Sequence, residues 1–112
     1  MKVRIIKWKN VYDHCDSDRI MKNAFEKFYY RMNLIDFETP QDIILGFENS
    51  DLVTCKRSGQ TRIIFNVGTN KYRLICGYFF APTLVILYVK FVGTHKEYDK
   101  INACEIDMFK KK

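Results

Sequence analysis

Three strand-like segments joined by very short connections constrain the fold of this chain more than any other feature. They span residues 62–67, 70–80 and 84–92, with Gly68-Thr69 at the first reversal and Ala81-Pro82-Thr83 at the second. Glycine and proline mark such turns because their backbone angles suit tight reversals. Connections this short join antiparallel neighbours. The second half of the chain is therefore predicted to form three antiparallel strands.

Two helices are predicted before these strands. Apolar residues recur at helical spacing from Arg19 to about Met32, which is typical of an amphipathic helix with one face in the core. Asp16 or Ser17 is expected to cap it. The sequence Thr39-Pro40-Gln41-Asp42 predicts the start of a second, shorter helix, because threonine caps, proline suits the first turn and the aspartate reaches back.

Two further strands complete the expected sheet. Val3, Ile5 and Trp8 alternate with lysine and arginine, which favours a strand at a sheet edge. A weak strand is expected around Leu52 to Cys55, inside an otherwise polar loop. The predicted fold class is α+β: two N-terminal helices packed on one face of an antiparallel sheet, in a single domain over residues 1–112.

Composition and cysteine spacing narrow the class of protein. No apolar stretch reaches the ~20 residues that a membrane helix needs, and the first residues do not resemble a signal peptide. We therefore expect a cytoplasmic protein with no membrane contact. The four cysteines, at 15, 55, 76 and 104, follow no metal-binding spacing. We expect free thiols, no metal site and no cofactor.

The charge balance favours an anionic partner. Nineteen lysines and arginines against thirteen aspartates and glutamates give a formal net charge of +6. A small basic domain is typical of proteins that bind nucleic acid. A well-solvated surface would explain the charge equally well, so the placement of the cations has to decide.

The alternation of side chains along the strands separates apolar from basic residues. With Val67 opposite Asn70 and Phe80 opposite Thr83, one face is wholly apolar or aromatic and is expected to receive the helices. Its members are Ile63, Phe65, Val67, Tyr72, Leu74, Cys76, Tyr78, Val85, Leu87, Val89 and Phe91. The other face is expected to be an open, concave basic surface with Arg62, Asn66, Lys71, Arg73, Tyr88 and Lys90 around Ile64, Ile75 and Ile86.

This register places Arg73 directly opposite Lys90. Like charges in opposed positions repel each other, so the pair suggests that an anion binds between them. The third strand then leads to Gly93 and His95 at one end of the basic face, where the first turn also lies. We therefore expect the loop after this strand to meet the cations.

That loop, Gly93 to Ile101, is the densest collection of proton-transfer groups in the chain. Arginine and lysine stabilise the extra charge that a phosphate gains in its transition state, and an imidazole such as His95 exchanges protons near neutral pH. Tyr98 or Lys96 can assist, and Asp99 and Glu97 either orient His95 or cap a turn. The combination predicts metal-independent RNA cleavage by attack of the RNA's own 2′-hydroxyl.

Two other functions fit the same residues. A non-catalytic module would bind RNA or a partner protein through the basic face without cutting RNA. A metal nuclease would use Asp99, Glu97 and Glu105 as ligands. Activity that survives strong chelation would exclude the metal nuclease, and mRNA cleavage would exclude the non-catalytic module.

Two long motifs lie in the second half of the chain, RIIFNVGTNKYRL at residues 62–74 and FVGTHKEYDKI at residues 91–101. They resemble the HigB family of bacterial toxins. The family pattern is roughly VFN-x-x-x-NKYRL, followed by GTH-x-EYDKI. Residues 39–43 resemble the family's second-helix start, so that the resemblance covers about residues 39–102.

The resemblance implies a RelE-like fold and an mRNA interferase, an endoribonuclease that cuts mRNA in the ribosomal A site. It also implies a HigA-type antitoxin with a helix-turn-helix domain, through which alone operator DNA would be bound. Carried over by position, the catalytic candidates are Arg73, Lys90, His95 and Tyr98, and the RNA-binding candidates are Arg62, Asn66, Asn70, Lys71 and Lys96. The family commonly has arginine where Lys90 stands and often alanine where Lys96 stands. Lysine at 90 keeps the charge but loses bidentate geometry.

Overall fold

The sheet has five strands in the order β1-β5-β4-β3-β2 in a computed structural model of the chain, which describes residues 2–36, 38–47, 50–69 and 71–109. The strands are β1 (Lys2–Ile6), β2 (Asp51–Thr54), β3 (Thr61–Val67), β4 (Tyr72–Phe80) and β5 (Leu84–Thr94). The strands from β2 to β5 pair antiparallel, as predicted for the three that the turns connect. The weak second strand and the edge position of β1 are confirmed as well.

The prediction of a wholly antiparallel sheet is wrong, because β1 runs parallel to β5. These two strands are joined through nearly the whole chain rather than by a tight turn. A connection of that length permits parallel pairing. The fold class is therefore α+β with a mixed sheet.

The helices are α1 (Trp8–Cys15), α2 (Arg19–Leu34), α3 (Pro40–Gly46) and α4 (His95–Tyr98). The predicted helices α2 and α3 are confirmed, and the Asp42 carboxylate accepts from the Thr39 backbone N–H at 3.0 Å, as the capping motif predicts. Among the described residues, no helix is both long and apolar enough to cross a membrane.

Helix α1 was missed, because the alternation of the first residues was extended too far. The strand ends at Ile6, Lys7 takes a left-handed conformation with φ 68°, and Trp8 begins the helix. Since α1 runs to Cys15, the predicted caps of α2 fall in the connection between the helices. Asp18 is the cap instead, and its Oδ1 accepts from Met21 N at 3.0 Å.

The main core joins side chains of α1, α2 and α3 to one face of the sheet. The ring of Phe28 lies 5.0 Å from Phe65 and 5.1 Å from Phe47, between ring centroids. The ring of Phe25 lies 5.9 Å from that of Tyr72. Burial of each aromatic side chain of this kind is worth about 1.5–3 kcal/mol, so this cluster is a major part of what holds α2 in place.

The first hairpin is two residues longer than predicted. Val67 pairs with Tyr72 rather than with Asn70, so Asn66 lies opposite Arg73 and Ile64 opposite Ile75. A shift of two residues leaves every side chain on its predicted face, because side chains alternate with a period of two. The predicted faces of β3 and β4 therefore survive an error in the predicted pairing.

The second hairpin overturns the predicted Arg73–Lys90 pair in two ways. Phe80 pairs with Val85 rather than with Thr83, and a β-bulge follows further along the two strands. Cys76 pairs with Val89 and Ile75 with Phe91, so Lys90 is the extra residue and Arg73 lies opposite Gly93. An extra residue exchanges the faces of the positions beyond it. Phe91, predicted for the core face, therefore packs with Ile64 and Ile75 on the opposite face, and Val92 joins the main core.

The prediction of four free thiols is wrong for two of them. Cys55 and Cys104 form a disulfide with their Cα atoms 5.6 Å apart, whereas Cys15 and Cys76 are free and buried. The two bonded residues are 49 positions apart in sequence. They meet because the chain after α4 returns across the sheet to the loop that follows β2.

Candidate active site

Arg73 lies at the centre of a row that crosses three strands. Asn66 of β3 is opposite it on one side, and Gly93 of β5 is opposite it on the other. The arginine is only 8% exposed, and its Nη1 donates to the Tyr72 carbonyl at 3.4 Å. A Cβ at Gly93 would lie 2.8 Å from Phe91 Cζ. The glycine therefore leaves room for the Phe91 ring and for the carboxylate of Glu97 in α4, which would lie 3.1 Å from the same Cβ.

Helix α4 holds His95 at this end of the sheet. The Thr94 N–H donates to Glu97 Oε1 at 2.9 Å, and the Glu97 N–H donates to Thr94 Oγ1 at 3.2 Å, which together cap the helix. The His95 backbone N–H donates to the Lys71 carbonyl at 3.0 Å. The predicted convergence of the first turn with the loop after β5 is therefore confirmed.

The two carboxylates beside His95 have different roles. Asp99 Oδ2 lies 3.2 Å from His95 Nδ1, so it can orient the imidazole and leave Nε2 for a substrate. Glu97 caps α4. The hydrogen bond from the Thr94 backbone lowers the pKa of Glu97 and outweighs burial, which raises it.

Tyr98 connects Arg73 to His95. The Arg73 Cζ lies 5.5 Å from the centroid of the Tyr98 ring, and the His95 ring lies 6.4 Å from that ring at 80°. On its other side Tyr98 packs against the second apolar cluster, where its ring is 6.5 Å from Phe91. We refer to these three side chains as the Arg73–His95–Tyr98 cluster.

Lys90, the fourth catalytic candidate, is held by a different neighbour. Its Nζ lies 3.1 Å from Asp107 Oδ2, and each of the two side chains is 25% exposed. The Met108 backbone N–H donates to the Lys90 carbonyl at 2.9 Å. Together with Arg62, Gly77 and Tyr88, Lys90 lines a separate cleft of about 270 Å³.

The predicted RNA-binding residues are divided among three places. Arg62 is in the cleft with Lys90 and is only 6% exposed. Asn66 and Lys71 line a groove of about 670 Å³ between α2 and the β3–β4 turn. Lys96 is exposed on α4. Asn70 lies outside the described residues.

The predicted basic face is not an open surface. Ile64, Ile75 and Phe91 are buried at its centre, and Tyr98, Ile101, Ala103 and Ile106 pack against them. The prediction missed this cover because the apolar pattern of residues 101–106 is too short to indicate where they pack. Asp107 and Cys104 were missed for the same reason, and neither has a local sequence signal that would have placed it here.

The carboxylates of the alternative metal-nuclease hypothesis have other partners. Within the part of the chain that the structure describes, no three His, Cys, Asp or Glu side chains are grouped so that they could hold a metal ion. Glu97 is engaged with Thr94 and Asp99 with His95. The geometry of these carboxylates therefore favours orientation and capping over metal binding.

The same region carries the similarity to known proteins. Residues 21–101 match the family model of HigB toxins, described as the RelE-like toxic component of a toxin–antitoxin system. The chain belongs to the HigB toxin family. As a HigB toxin it is one half of a toxin–antitoxin pair, which implies an antitoxin as its partner. A comparison with curated proteins gave no match.

Proposed function

We propose that this HigB toxin is a metal-independent endoribonuclease, an mRNA interferase that cuts mRNA on the ribosome. The observation that carries the proposal is the Arg73–His95–Tyr98 cluster, in which a buried guanidinium lies beside a phenol ring and an oriented imidazole. These groups supply the charge stabilisation and proton transfer that phosphodiester cleavage requires.

The proposed reaction divides the work among the three side chains. His95 Nε2 takes the proton of the RNA 2′-hydroxyl, and the 2′-oxygen attacks the adjacent phosphorus as the bond to the 5′-oxygen breaks. Arg73 stabilises the added negative charge on the phosphate oxygens. Tyr98 donates a proton to the departing 5′-oxygen. The products are a 2′,3′-cyclic phosphate and a 5′-hydroxyl.

The remaining candidates are proposed to hold the RNA. Lys90 and Arg62 would contact a phosphate away from the reacting one, since their cleft is separate from the cluster. Asn66, Asn70, Lys71 and Lys96 would bind RNA around the β3–β4 turn and α4. Assigning Lys90 a binding role rather than a catalytic one follows from its position at the bulge.

The family supports several finer proposals about partners and place. We propose that residues 1–112 act as one RelE-like unit with its helices layered on the sheet, that the RNA is bound in the ribosomal A site, and that the protein works in the cytoplasm. The antitoxin would be a HigA-type protein with a helix-turn-helix domain. Operator DNA would be bound only through that antitoxin.

Expression of the toxin alone in bacterial cells tests this function. Growth should stop and mRNA should be cut, and the double substitution Arg73→Ala with His95→Ala should relieve both effects. Co-expression of the antitoxin should also restore growth. Undiminished toxicity of the double variant, at equal protein level, would contradict the assigned cluster.

A second candidate is a non-catalytic module that binds RNA or the antitoxin. It is favoured by the burial of Arg73 and by the cover over the face, both of which restrict access to the phosphate site. The purified protein would then bind RNA without cutting it, with or without ribosomes. Cleavage in the presence of a chelator would decide against this candidate and against a metal nuclease.

A further inference from the structure

Residues 102–109, which we call the C-terminal strap, cross the sheet face on which the proposed RNA site lies. Ala103 and Ile106 pack on the apolar cluster of Ile64, Ile75 and Phe91. Further along, Met108 N donates to the Lys90 carbonyl at 2.9 Å. The strap is thus attached to the centre of the face and to the bulge of β5.

Three anchors fix the strap across the full width of the sheet. The Cys55–Cys104 disulfide ties one end to the loop between β2 and β3, at one edge. Lys7 Nζ donates to the Phe109 carbonyl at 3.1 Å at the opposite edge, beside β1. Between these ends, Asp107 forms its ion pair with Lys90. Of these three anchors only the disulfide is covalent, so it alone can be opened by reduction.

The cleft beside the strap has the features of a site for one nucleotide. Arg62, Gly77 and Tyr88 lie in one row across β3, β4 and β5. Gly77 has no side chain, so the row is open between the guanidinium of Arg62 and the ring of Tyr88. Tyr88 is 41% exposed, which leaves its ring available for base stacking.

Polar groups in this cleft and in the strap beside it are incompletely paired. Arg62 is buried, its Nη2 donates to Gln60 Oε1 at 2.8 Å and its Nη1 to the Thr61 carbonyl at 3.1 Å. Its Nε has no hydrogen-bond partner among the described residues. Asp107 gives one oxygen to Lys90, and its other oxygen is buried without a partner in the same part of the chain. Buried polar groups are seldom left unpaired, and a phosphate would supply partners for Arg62 and Lys90 together.

The cleft lies within reach of the RNA that occupies the proposed active site. Its row is four residues from the Asn66–Arg73 row on both β3 and β4. At a rise of ~3.3 Å per residue this separation is about 13 Å. One short single-stranded segment is therefore long enough to span both places.

We propose that Arg62, Lys90 and Tyr88 form a second subsite, which binds one nucleotide of single-stranded RNA. The C-terminal strap blocks this subsite through Asp107 while the Cys55–Cys104 disulfide is closed. The carboxylate of Asp107 occupies the place beside Lys90 that an RNA phosphate would take. This inference rests on the proposed RNA-cleaving function and adds its regulation.

The disulfide makes the block strong because it keeps Asp107 close to Lys90. A tethered group competes at a high effective concentration, which falls when the tether is released. Reduction by a dithiol would transfer two electrons and two protons, opening Cys55–Cys104 to two thiols while the dithiol closes to its own disulfide. Cys15 and Cys76 are buried and would take no part in the exchange. A reducing compartment would thus favour the open subsite.

Binding of a fully 2′-O-methylated oligoribonucleotide tests the inference without cleavage, because the probe has no free 2′-hydroxyl. Fluorescence anisotropy would compare oxidised protein with protein reduced by dithiothreitol. Reduction should tighten binding about fivefold, and the slope of log K against log salt should steepen by about 0.7, the value for one added phosphate contact on a single strand. A double Cys55→Ser, Cys104→Ser variant should bind like the reduced protein and ignore dithiothreitol.

Substitutions distinguish the effect of the strap on binding from that of the subsite. Asp107→Asn should tighten binding by the oxidised protein, whereas Glu26→Gln, which removes the same charge from the exposed side of α2, should have less than half that effect on log K. Tyr88→Ala should weaken binding by the reduced protein about tenfold. Arg62→Met should do the same if circular dichroism shows that it folds, and the exposed Tyr88 provides the test if it does not.

The outcomes distinguish this inference from the function on which it rests. One outcome is that the protein cleaves RNA while its affinity for the oligoribonucleotide changes with neither dithiothreitol nor Tyr88→Ala. That result would contradict the proposed strap and subsite and leave the proposed active site intact. Equal effects of Asp107→Asn and Glu26→Gln on binding would also contradict the proposed role of the strap, because the change in net charge alone would explain them. Binding that follows the predicted pattern without cleavage would support the subsite and contradict the nuclease.

Discussion

The imidazole of His95 is the group on which the proposed chemistry depends most. Its Nδ1 faces Asp99 at 3.2 Å, and its side chain is 45% exposed, so a substrate can reach the other nitrogen. His95→Asn should lower single-turnover mRNA cleavage by about 10²–10⁴-fold, the usual contribution of a general acid or base. Asp99→Asn should have a smaller effect, because Asp99 acts only through His95.

The chain's other histidine provides the matched control. His14 is exposed on α1, and His14→Asn should leave the cleavage rate within about twofold of wild type, far less than the loss expected at a general base. Equal losses at the two histidines would mean that His95 has no special position in the reaction.

Two substitutions of Tyr98 test whether cleavage needs its hydroxyl or only its ring. Tyr98→Phe keeps the ring against Phe91 and Arg73, so it should leave the free energy of unfolding nearly unchanged and reduce cleavage by about tenfold or more. Tyr98→Ala should lose cleavage and also about 2 kcal/mol of stability, since the half-buried ring is removed. Urea unfolding and a cleavage assay on both variants measure the difference. If Tyr98→Phe cuts RNA at the wild-type rate, Tyr98 is not the proton donor.

At the scale of single elements, helix α3 depends on one carboxylate that responds to pH. Hydrogen bonds from the backbone of Glu38 and Thr39 lower the pKa of Asp42 from its ordinary value of 3.8. Because the folded value is the lower one, the stabilisation is fully present above about pH 4 and is lost as pH falls through the folded value.

The variant Asp42→Asn should therefore be less stable than wild type near neutral pH and equally stable in strong acid. Urea unfolding near pH 7 and near pH 2 measures the difference in the free energy of unfolding between the two proteins, above and below the range in which Asp42 titrates. A difference that stays constant between the two pH values would show that the charge of Asp42 does not contribute through this hydrogen-bonded cap.

The boundaries of most elements could be predicted from local chemistry alone. Gly68 and Pro82 mark the turns, the apolar period marks α2, and Thr39 with Asp42 marks the start of α3. The bulge at Lys90 could not be predicted, because an extra residue in a strand has no side-chain pattern of its own. Its consequence was large, because it moved Phe91 to the other face. Together with the changed pairing at the second turn, it separated Lys90 from Arg73.

At the scale of the whole molecule, the disulfide joins parts of the chain that local patterns cannot relate. Closing a loop of 49 residues restricts the unfolded chain, and the entropic relation gives a stabilisation of about 4 kcal/mol. The double Cys55→Ser, Cys104→Ser variant should lose about this much free energy of unfolding relative to the oxidised protein. Dithiothreitol should destabilise wild type and leave the double variant unchanged. Equal unfolding curves for oxidised and reduced wild type would contradict the tether.

The candidate site was predictable only in the part that lies within the two motifs. His95 and Tyr98 belong to a short continuous segment, and Arg73 to the strand beside it. The cover of the face arises from contacts between residues far apart in sequence, such as Lys90 with Asp107 and Cys55 with Cys104. Such contacts depend on the path of the chain after α4, which no periodicity in residues 101–109 specifies.

The chemical ends of the cut RNA test the central claim most directly. Reduced, purified toxin would be given ribosomes carrying a short mRNA, and the fragments would be analysed by mass spectrometry. Attack by the 2′-hydroxyl predicts a 2′,3′-cyclic phosphate on one fragment and a 5′-hydroxyl on the other, and no cutting when the cleaved position carries a single 2′-deoxy substitution. A 5′-phosphate end, or cutting of the 2′-deoxy mRNA, would contradict the account.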